Sequence, residues 1–275
     1  MGLTASEISV TYNRGTVAQQ RALDGVSFCI EAGEVVVVVG VTGSGKSTLL
    51  KSLAGLVKPD SGSVAVDGAP LPDPPARAVG IVFQNPERQL FGETVLDDVA
   101  FGPRMLGDPD PISAAEQALA RVGLDPATFG QRSPFSLSGG EARRAAIAGI
   151  LALGARYVLL DEPTVGLDGS GRRAVVEIVR RERERCGIAV VTHHPDPFLP
   201  VASRIVALRD GRVVFSGTTE DAVRHPEQYV SAGLQLPELL EIQVEALRRG
   251  APLARVGSTA EDVASVLLDA RRRSS

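Results

Sequence analysis

Five consecutive valines, Val35-Val36-Val37-Val38-Val39, run directly into Gly40-Val41-Thr42-Gly43-Ser44-Gly45-Lys46-Ser47-Thr48, and this junction constrains the chain more than any other stretch. An all-β-branched run is the pattern of a strand buried on both faces of a parallel sheet. The segment after it fits G-x-x-x-x-G-K-[ST], and the apolar pattern from Thr48-Leu49-Leu50 to Leu56 predicts a helix. Strand, glycine-rich turn and helix in that order make a phosphate cradle. The glycines let main-chain N–H groups wrap phosphate oxygens, and the helix start adds a favourable dipole. Lys46 would neutralise terminal phosphate charge, and the Ser47 hydroxyl would ligate Mg²⁺. Phosphate binding alone does not specify what a protein does.

Further buried-strand candidates are Val79-Gly80-Ile81-Val82-Phe83, Tyr157-Val158-Leu159-Leu160, Ile188-Ala189-Val190-Val191 and Arg204-Ile205-Val206-Ala207-Leu208. Their alternation with helices predicts a doubly wound α/β core. Upstream, Ile8–Tyr12 alternates apolar with polar and Ala22–Ile30 does so loosely, which predicts an antiparallel, half-exposed sheet placed as a lid above a nucleotide. Between Gln84 and Gly154 helical patterns such as Ala114–Val122 and Glu141–Leu153 replace the strand signal, so a helical subdomain interrupts the core. Leu208–Val214 reads as a closing hairpin around Asp210-Gly211, and Ala69–Ala76 as a Pro-rich loop. Beyond Thr219 come amphipathic helices, Pro237–Arg249 and Ala260–Ala270, ending in Arg271-Arg272-Arg273, which reads as a solvated helix end.

Composition narrows the partners. The 275 residues are 44% apolar and 23% charged with a net charge of -4, and no basic field points to nucleic acid. Cys29 and Cys186 lack metal-ligand spacing and read as reduced packing residues. The N-terminal residues lack a secretory signal pattern. No run approaches the roughly 18 apolar residues of a membrane span. A membrane role would need another chain to do the spanning.

Tyr157 to Leu160 delivers two carboxylates, Asp161 and Glu162, to the sheet edge where ligands bind in open α/β folds. Asp161 suits a Mg²⁺ shell and Glu162 a general base on attacking water. The strand Ile188–Val191 ends in Thr192-His193-His194 and brings His193 to the same edge as a γ-phosphate contact, while His194 and His225 read as surface residues. Leu137-Ser138-Gly139-Gly140-Glu141 precedes a helix, and its capped, small-residue start is open to an anion.

With that last segment the chain resembles the ABC ATPase family over roughly residues 5–218: Walker A, Gln-loop, LSGG(Q/E) signature, Walker B and His-switch motifs occur in order. The resemblance implies a P-loop NTPase fold: an ABC ATPase core with an N-terminal antiparallel β subdomain, an inserted helical subdomain and a C-terminal helical extension. It implies an ABC ATPase domain over 1–220, the helical subdomain over about 85–155 and the extension over 221–275. It implies ATP and Mg²⁺ as cofactors, with Tyr12 stacking on adenine, residues 40–48 (Gly40, Val41, Thr42, Gly43, Ser44, Gly45, Lys46, Ser47, Thr48) holding ATP, and Ser47, Gln84 and Asp161 around the metal. Glu162, His193 and Gln84 would be catalytic. Asp168 in Gly166-Leu167-Asp168 looks like the D-loop through which subunits communicate. Ser138, Gly139, Gly140 and Glu141 would close in trans on ATP held by a second ABC ATPase subunit, in a homo- or heterodimer.

Ser138 lies 92 residues after Lys46 and Asp161 lies 23 after Ser138, which leaves no room for the long insertions of chromosome and repair relatives. One ATPase unit per chain likewise disfavours the translation-factor relatives. Tyr12-Asn13-Arg14-Gly15-Thr16 with Ala22-Leu23, Val41-Thr42, the stretch from Phe83 to Phe91, and the stretch from Glu93 to Pro103 are similar to the energy-coupling factor (ECF) group, importers of vitamins or transition-metal ions. That likeness implies a transmembrane coupling subunit, a separate substrate-binding membrane protein and a place at the cytoplasmic face of the membrane. Glu93, Asp97 and Asp98 then offer an acidic docking patch, or else an ordinary solvated helix face. Gly169 and Val165 depart from the commonest D-loop form. The alternatives are an ABC ATPase of a different importer or exporter, and a non-transport soluble ABC ATPase.

Overall fold

The computed structural model describes residues 1–75, 77–85, 90–231 and 235–274. In chain order, β1 (Gly2–Tyr12), β2 (Gln20–Glu31) and β3 (Val35–Val39) lead into α1 (Lys46–Leu53), and β4 (Ser61–Val66), β5 (Ala69–Pro70) and β6 (Val79–Val82) follow. The helices α2 (Val95–Met105), α3 (Pro111–Arg121), α4 (Pro126–Phe129) and α5 (Gly139–Ala152) come next. The chain then returns to β7 (Tyr157–Asp161), α6 (Gly169–Glu182), β8 (Gly187–Val191), β9 (Arg204–Arg209) and β10 (Arg212–Gly217). It continues through α7 (Thr219–Arg224), α8 (Pro226–Ser231), α9 (Glu238–Arg248) and α10 (Ala260–Ser274).

Among the described residues the strands form two sheets. One is antiparallel in the order β2-β1-β4-β5; the other runs β10-β9-β3-β8-β7-β6, parallel except for β10. The valine strand is its centre: Val35 pairs with Ile188 on one side and Val36 with Arg204 on the other. Because side chains alternate along a strand, Val35, Val37 and Val39 join one core with α2, α3, α5 and α6, while Val36 and Val38 join a second core with β1, β2 and α1. Burial of each valine side chain contributes about 1.5–3 kcal/mol, so this strand anchors both layers.

The predicted core strands all form. The antiparallel sheet is larger than its sequence pattern indicates: β1 starts at Gly2, and a register shift between Ala5 and Ile8, with Glu7 at φ 49°, breaks the alternation there. The Pro-rich stretch contains β5, and β4 carries no clear sequence signal.

The helical insertion has side-chain caps: Thr94 Oγ1 accepts from Asp97 N, Asp110 Oδ1 accepts from Ser113 N ahead of Pro111, and Ser138 with Glu141 makes a reciprocal capping box. Arg121 at the end of α3 ties it to the core by donating from Nε to Glu182 Oε1 at 2.9 Å on α6. The C-terminal helices are not appended loosely. Tyr229, Leu236, Leu240 and Val244 belong to the main core, and the Tyr229 ring meets Phe215 edge-on at 5.4 Å. Asp196 Oδ1, in the loop after β8, accepts from Leu239 N at 3.0 Å. No helix among the described residues is long and apolar enough to cross a membrane.

Candidate nucleotide site

The cradle forms because its glycines are sterically required. Gly45 has φ 104°, and a Cβ there would stand 2.5 Å from Ala22 O and 2.9 Å from Leu23 Cδ2, so only glycine lets the loop tuck beneath β2. A Cβ on Gly40 would meet Leu208 O at 2.2 Å. Lys46 arches back over the loop and donates from Nζ to Gly40 O at 2.7 Å and Val41 O at 3.0 Å. Burial pushes its ammonium below the usual lysine range, while Glu162 and Asp161 pull the other way.

A cavity of about 350 Å³ opens over this loop, walled by Tyr12, Gln20, Ala22, Thr42, Gly43, Gly45, Lys46, Ser47, Thr48, Gln84, Asp161, Glu162, Val191 and His193. The cradle, the two carboxylates, the glutamine and the histidine therefore converge from four separate stretches of sequence. Tyr12 stands at the rim, its hydroxyl 3.5 Å from Thr48 Oγ1. Gly40 and Val41 line an adjoining cavity with His193, and Ser44 is buried in the loop. His194 and His225 are exposed.

Asp161 is 7% exposed, and burial raises its carboxyl above the usual range against the opposing hydrogen bond from Ser47 and the charges of Lys51 and Lys46. A hydroxyl, a desolvated carboxylate and an amide oxygen from Gln84 form a set of hard oxygen donors, which fits Mg²⁺.

Glu162 is 4% exposed and has φ 49°, a left-handed backbone that costs a non-glycine residue free energy. Its amide donates to Val191 O at 2.9 Å, and its carbonyl accepts from Arg143 Nη1 at 3.0 Å. Oε2 accepts from His193 N at 3.3 Å. Oε1 lies 3.3 Å from His193 Nε2 and has no hydrogen-bond partner among the described residues, leaving an acceptor in the cavity wall.

Ser138, Gly139, Gly140, Glu141 and Asp168 do not line this cavity. The Glu141 carboxylate is occupied by Ser138 N at 2.8 Å, and that bond holds it below the usual carboxylate range. Asp168 caps α6, accepting from Gly171 N at 2.7 Å and Ser170 Oγ at 2.9 Å. A Cβ on Gly139 or Gly140 would meet nothing within 4 Å. Among the described residues nothing crowds either position enough to require glycine.

The acidic patch is less free than its sequence indicates. Asp98 Oδ2 accepts from Phe91 N at 2.6 Å and Gly92 N at 2.7 Å, and the half-exposed Asp97 bonds Thr94 Oγ1 and Arg104, whereas Glu93 is exposed. Beside it Phe91 is 61% exposed and stacks edge-on against Phe101 at 4.8 Å. Of the stretch between Phe83 and Phe91, residues 86–89 lie outside the described residues, as does residue 76 of the Pro-rich stretch. Arg143 and Gln20 were not singled out by sequence; the signal for Arg143 is a guanidinium set in the alanine-rich buried face of α5.

A glycine-rich cradle, two carboxylates and a histidine at the carboxyl edge of a parallel sheet, with a helical insertion and an antiparallel layer, define a nucleotide hydrolase of the cassette type. Residues 23–165 match the ABC transporter family, and the chain belongs to it. It is 42% identical to the energy-coupling factor transporter ATP-binding protein EcfA2 of Symbiobacterium thermophilum, over 91% of this chain and 90% of that one. It is 41% identical to EcfA of Methanoculleus marisnigri, over 92% and 93% respectively. Among solved structures, cbiO1 from Clostridium perfringens, part of the ABC transporter complex cbiONQ, superposes with TM-score 0.72 at 31% identity, covering 87% of this chain and 97% of that one. The ATP-binding cassette MJ0796, seen as a dimer in a post-hydrolysis state with ADP and Pi, gives TM-score 0.69 at 28% identity and covers 78% and 98%.

Proposed function

We propose that the chain is the ATP-binding and ATP-hydrolysing subunit that energises an ECF-type ABC importer. The observation that carries the chemistry is Glu162 Oε1, a buried carboxylate oxygen without a hydrogen-bond partner in the wall of the cavity that holds Lys46 and Asp161. Such an oxygen suits a base that accepts a proton from water as the water attacks the γ-phosphorus. Residues 40–48 bind the triphosphate through main-chain amides and Lys46, Tyr12 packs on the adenine, and His193 contacts the γ-phosphate. Ser47, Asp161 and Gln84 hold Mg²⁺, which when bound offsets the negative charge of the β- and γ-phosphates.

The chain works as one of a pair of cassettes in a transporter complex. Gly139 and Gly140 support an approach in trans: glycine is a poor helix former, and among the described residues there is no packing reason for it at either position. A second molecule approaching the main chain closely supplies that reason, with Ser138 to Glu141 meeting nucleotide held by the partner and Asp168 at the subunit boundary. Residues 1–220 form the ATPase unit, with the helical insertion over about 85–155, and 221–275 the extension. Glu93, Phe91 and Phe101 suit docking of a transmembrane coupling subunit at the cytoplasmic face, with a separate membrane protein capturing a vitamin or transition-metal ion.

Phosphate release by purified protein tests the enzyme. Glu162→Gln is expected to keep ATP binding, lose about 10²–10⁴-fold in turnover and accumulate as an ATP-bound dimer; unchanged turnover would remove Glu162 from that role.

A further inference from the structure

Arg143 sits on α5 four residues after the Ser138-Gly139 cap, and its guanidinium is almost entirely withdrawn from solvent, with the residue 6% exposed. It donates to three main-chain carbonyls from two loops, the one after β6 and the one between β7 and α6. Nη1 reaches Gln84 O at 3.1 Å and Glu162 O at 3.0 Å, and Nη2 reaches Val165 O at 3.0 Å. Both loops carry side chains in the wall of the nucleotide cavity, Gln84 and Glu162, and the second runs on into Gly166-Leu167-Asp168.

The Glu162 bond has a further consequence. That residue is held in a left-handed backbone at φ 49°, which persists only when surrounding contacts determine it. Its amide is fixed by Val191 O and its carbonyl by Arg143, so the peptide units on both sides of the strained Cα are fastened. The planar guanidinium is suited to this task because its N–H groups diverge in a fixed fork.

We propose that Arg143 is a positioning residue for hydrolysis: it fixes the main chain of Glu162 and Gln84 relative to α5, so that a displacement of the Ser138 end of that helix is delivered to the group that activates water. This rests on the chain being an ATPase and adds a specific link within it. Arg143 is not among the residues that line the nucleotide cavity, so it acts on turnover and leaves ATP affinity to Lys46 and the cradle.

The test compares wild type, Arg143→Ala and Arg143→Lys by steady-state phosphate release, binding of a fluorescent ATP analogue and thermal melting. Arg143→Ala is expected to lower kcat by between about ten- and a hundredfold, the scale of a misplaced catalytic group, with analogue Kd within about twofold of wild type. Arg143→Lys keeps one cation but not the fork, and is expected to recover part of the lost kcat. Unchanged kcat in both variants overturns the inference. So does a parallel loss of turnover, nucleotide binding and melting temperature in both, which would make Arg143 a folding residue. Absence of turnover in wild type would instead count against the ATPase reading itself.

Discussion

The Tyr157 hydroxyl donates to Asp67 Oδ1 at 3.0 Å, joining the foot of the strand that ends in Asp161 and Glu162 to the turn between β4 and β5. Asp67 is also ion-paired with Arg156, and its amide donates to Gly2 O at 2.8 Å. The antiparallel sheet is thus pinned to the base of β7, at the end of that strand away from Asp161. Tyr157→Phe is expected to cost about 1–3 kcal/mol by urea unfolding with little effect on ATP affinity.

The same phenol gives a pH signature. Burial, reinforced by Asp67, pushes Tyr157 from the usual 10.0 up to about 12. The folded state then holds this proton more tightly than the unfolded one. Its contribution to stability is complete below pH 10 and is lost as pH rises to about 12. Urea midpoints at pH 9 and 11 are expected to fall further in wild type than in Tyr157→Phe, and equal falls would refute the assignment.

Gly139→Ala separates intrachain from interchain demands. The new methyl meets nothing within 4 Å among the described residues, so melting temperature should stay level or rise, by at most about 1 kcal/mol in stability. ATP-dependent dimerisation and turnover should nevertheless drop. Full activity in a stable variant would show that the glycine serves no partner.

The Arg121–Glu182 pair joins the helical insertion to α6, with the Glu182 side chain 4% exposed. Arg121→Ala leaves a buried carboxylate without this partner and is expected to cost about 3–5 kcal/mol, whereas replacing both residues by Met and Leu should come close to wild type. Denaturant titration of the three proteins distinguishes the cases.

Charge reversal at the proposed docking surface should be placed at Glu93. Glu93→Lys is expected to reduce co-purification with the transmembrane subunit while leaving phosphate release by the isolated protein intact. Asp98→Lys is a poor probe: it removes the acceptor for the Phe91 and Gly92 amides and disturbs the loop itself.

The parts of the molecule that sequence revealed are those whose constraints are local. A valine run, a glycine-rich turn and a carboxylate pair at a strand end each carry their pattern within a few residues, and the fold follows from their order. β4 was hidden because Ser61-Gly62-Ser63 has no apolar alternation; it exists through pairing with β1, as in Thr4 opposite Ala65. The start of β1 was masked by the irregularity at Glu7. Arg143 was illegible for another reason: its partners are main-chain carbonyls, which leave no trace in side-chain identity. The acidic patch misled because a sequence shows a carboxylate but not the amides that occupy it.

The central placement of β3 has a consequence for synthesis on the ribosome. Val35 pairs with Ile188 and Val36 with Arg204, so the partner strands emerge more than a hundred residues later. At about 5–20 residues per second the valine run waits roughly ten to thirty seconds before either neighbour can reach it. A nascent chain with five bare valines is a target for chaperones and an aggregation hazard, and silent codon changes that slow translation between residues 40 and 190 should lower soluble yield without altering one atom of the finished protein.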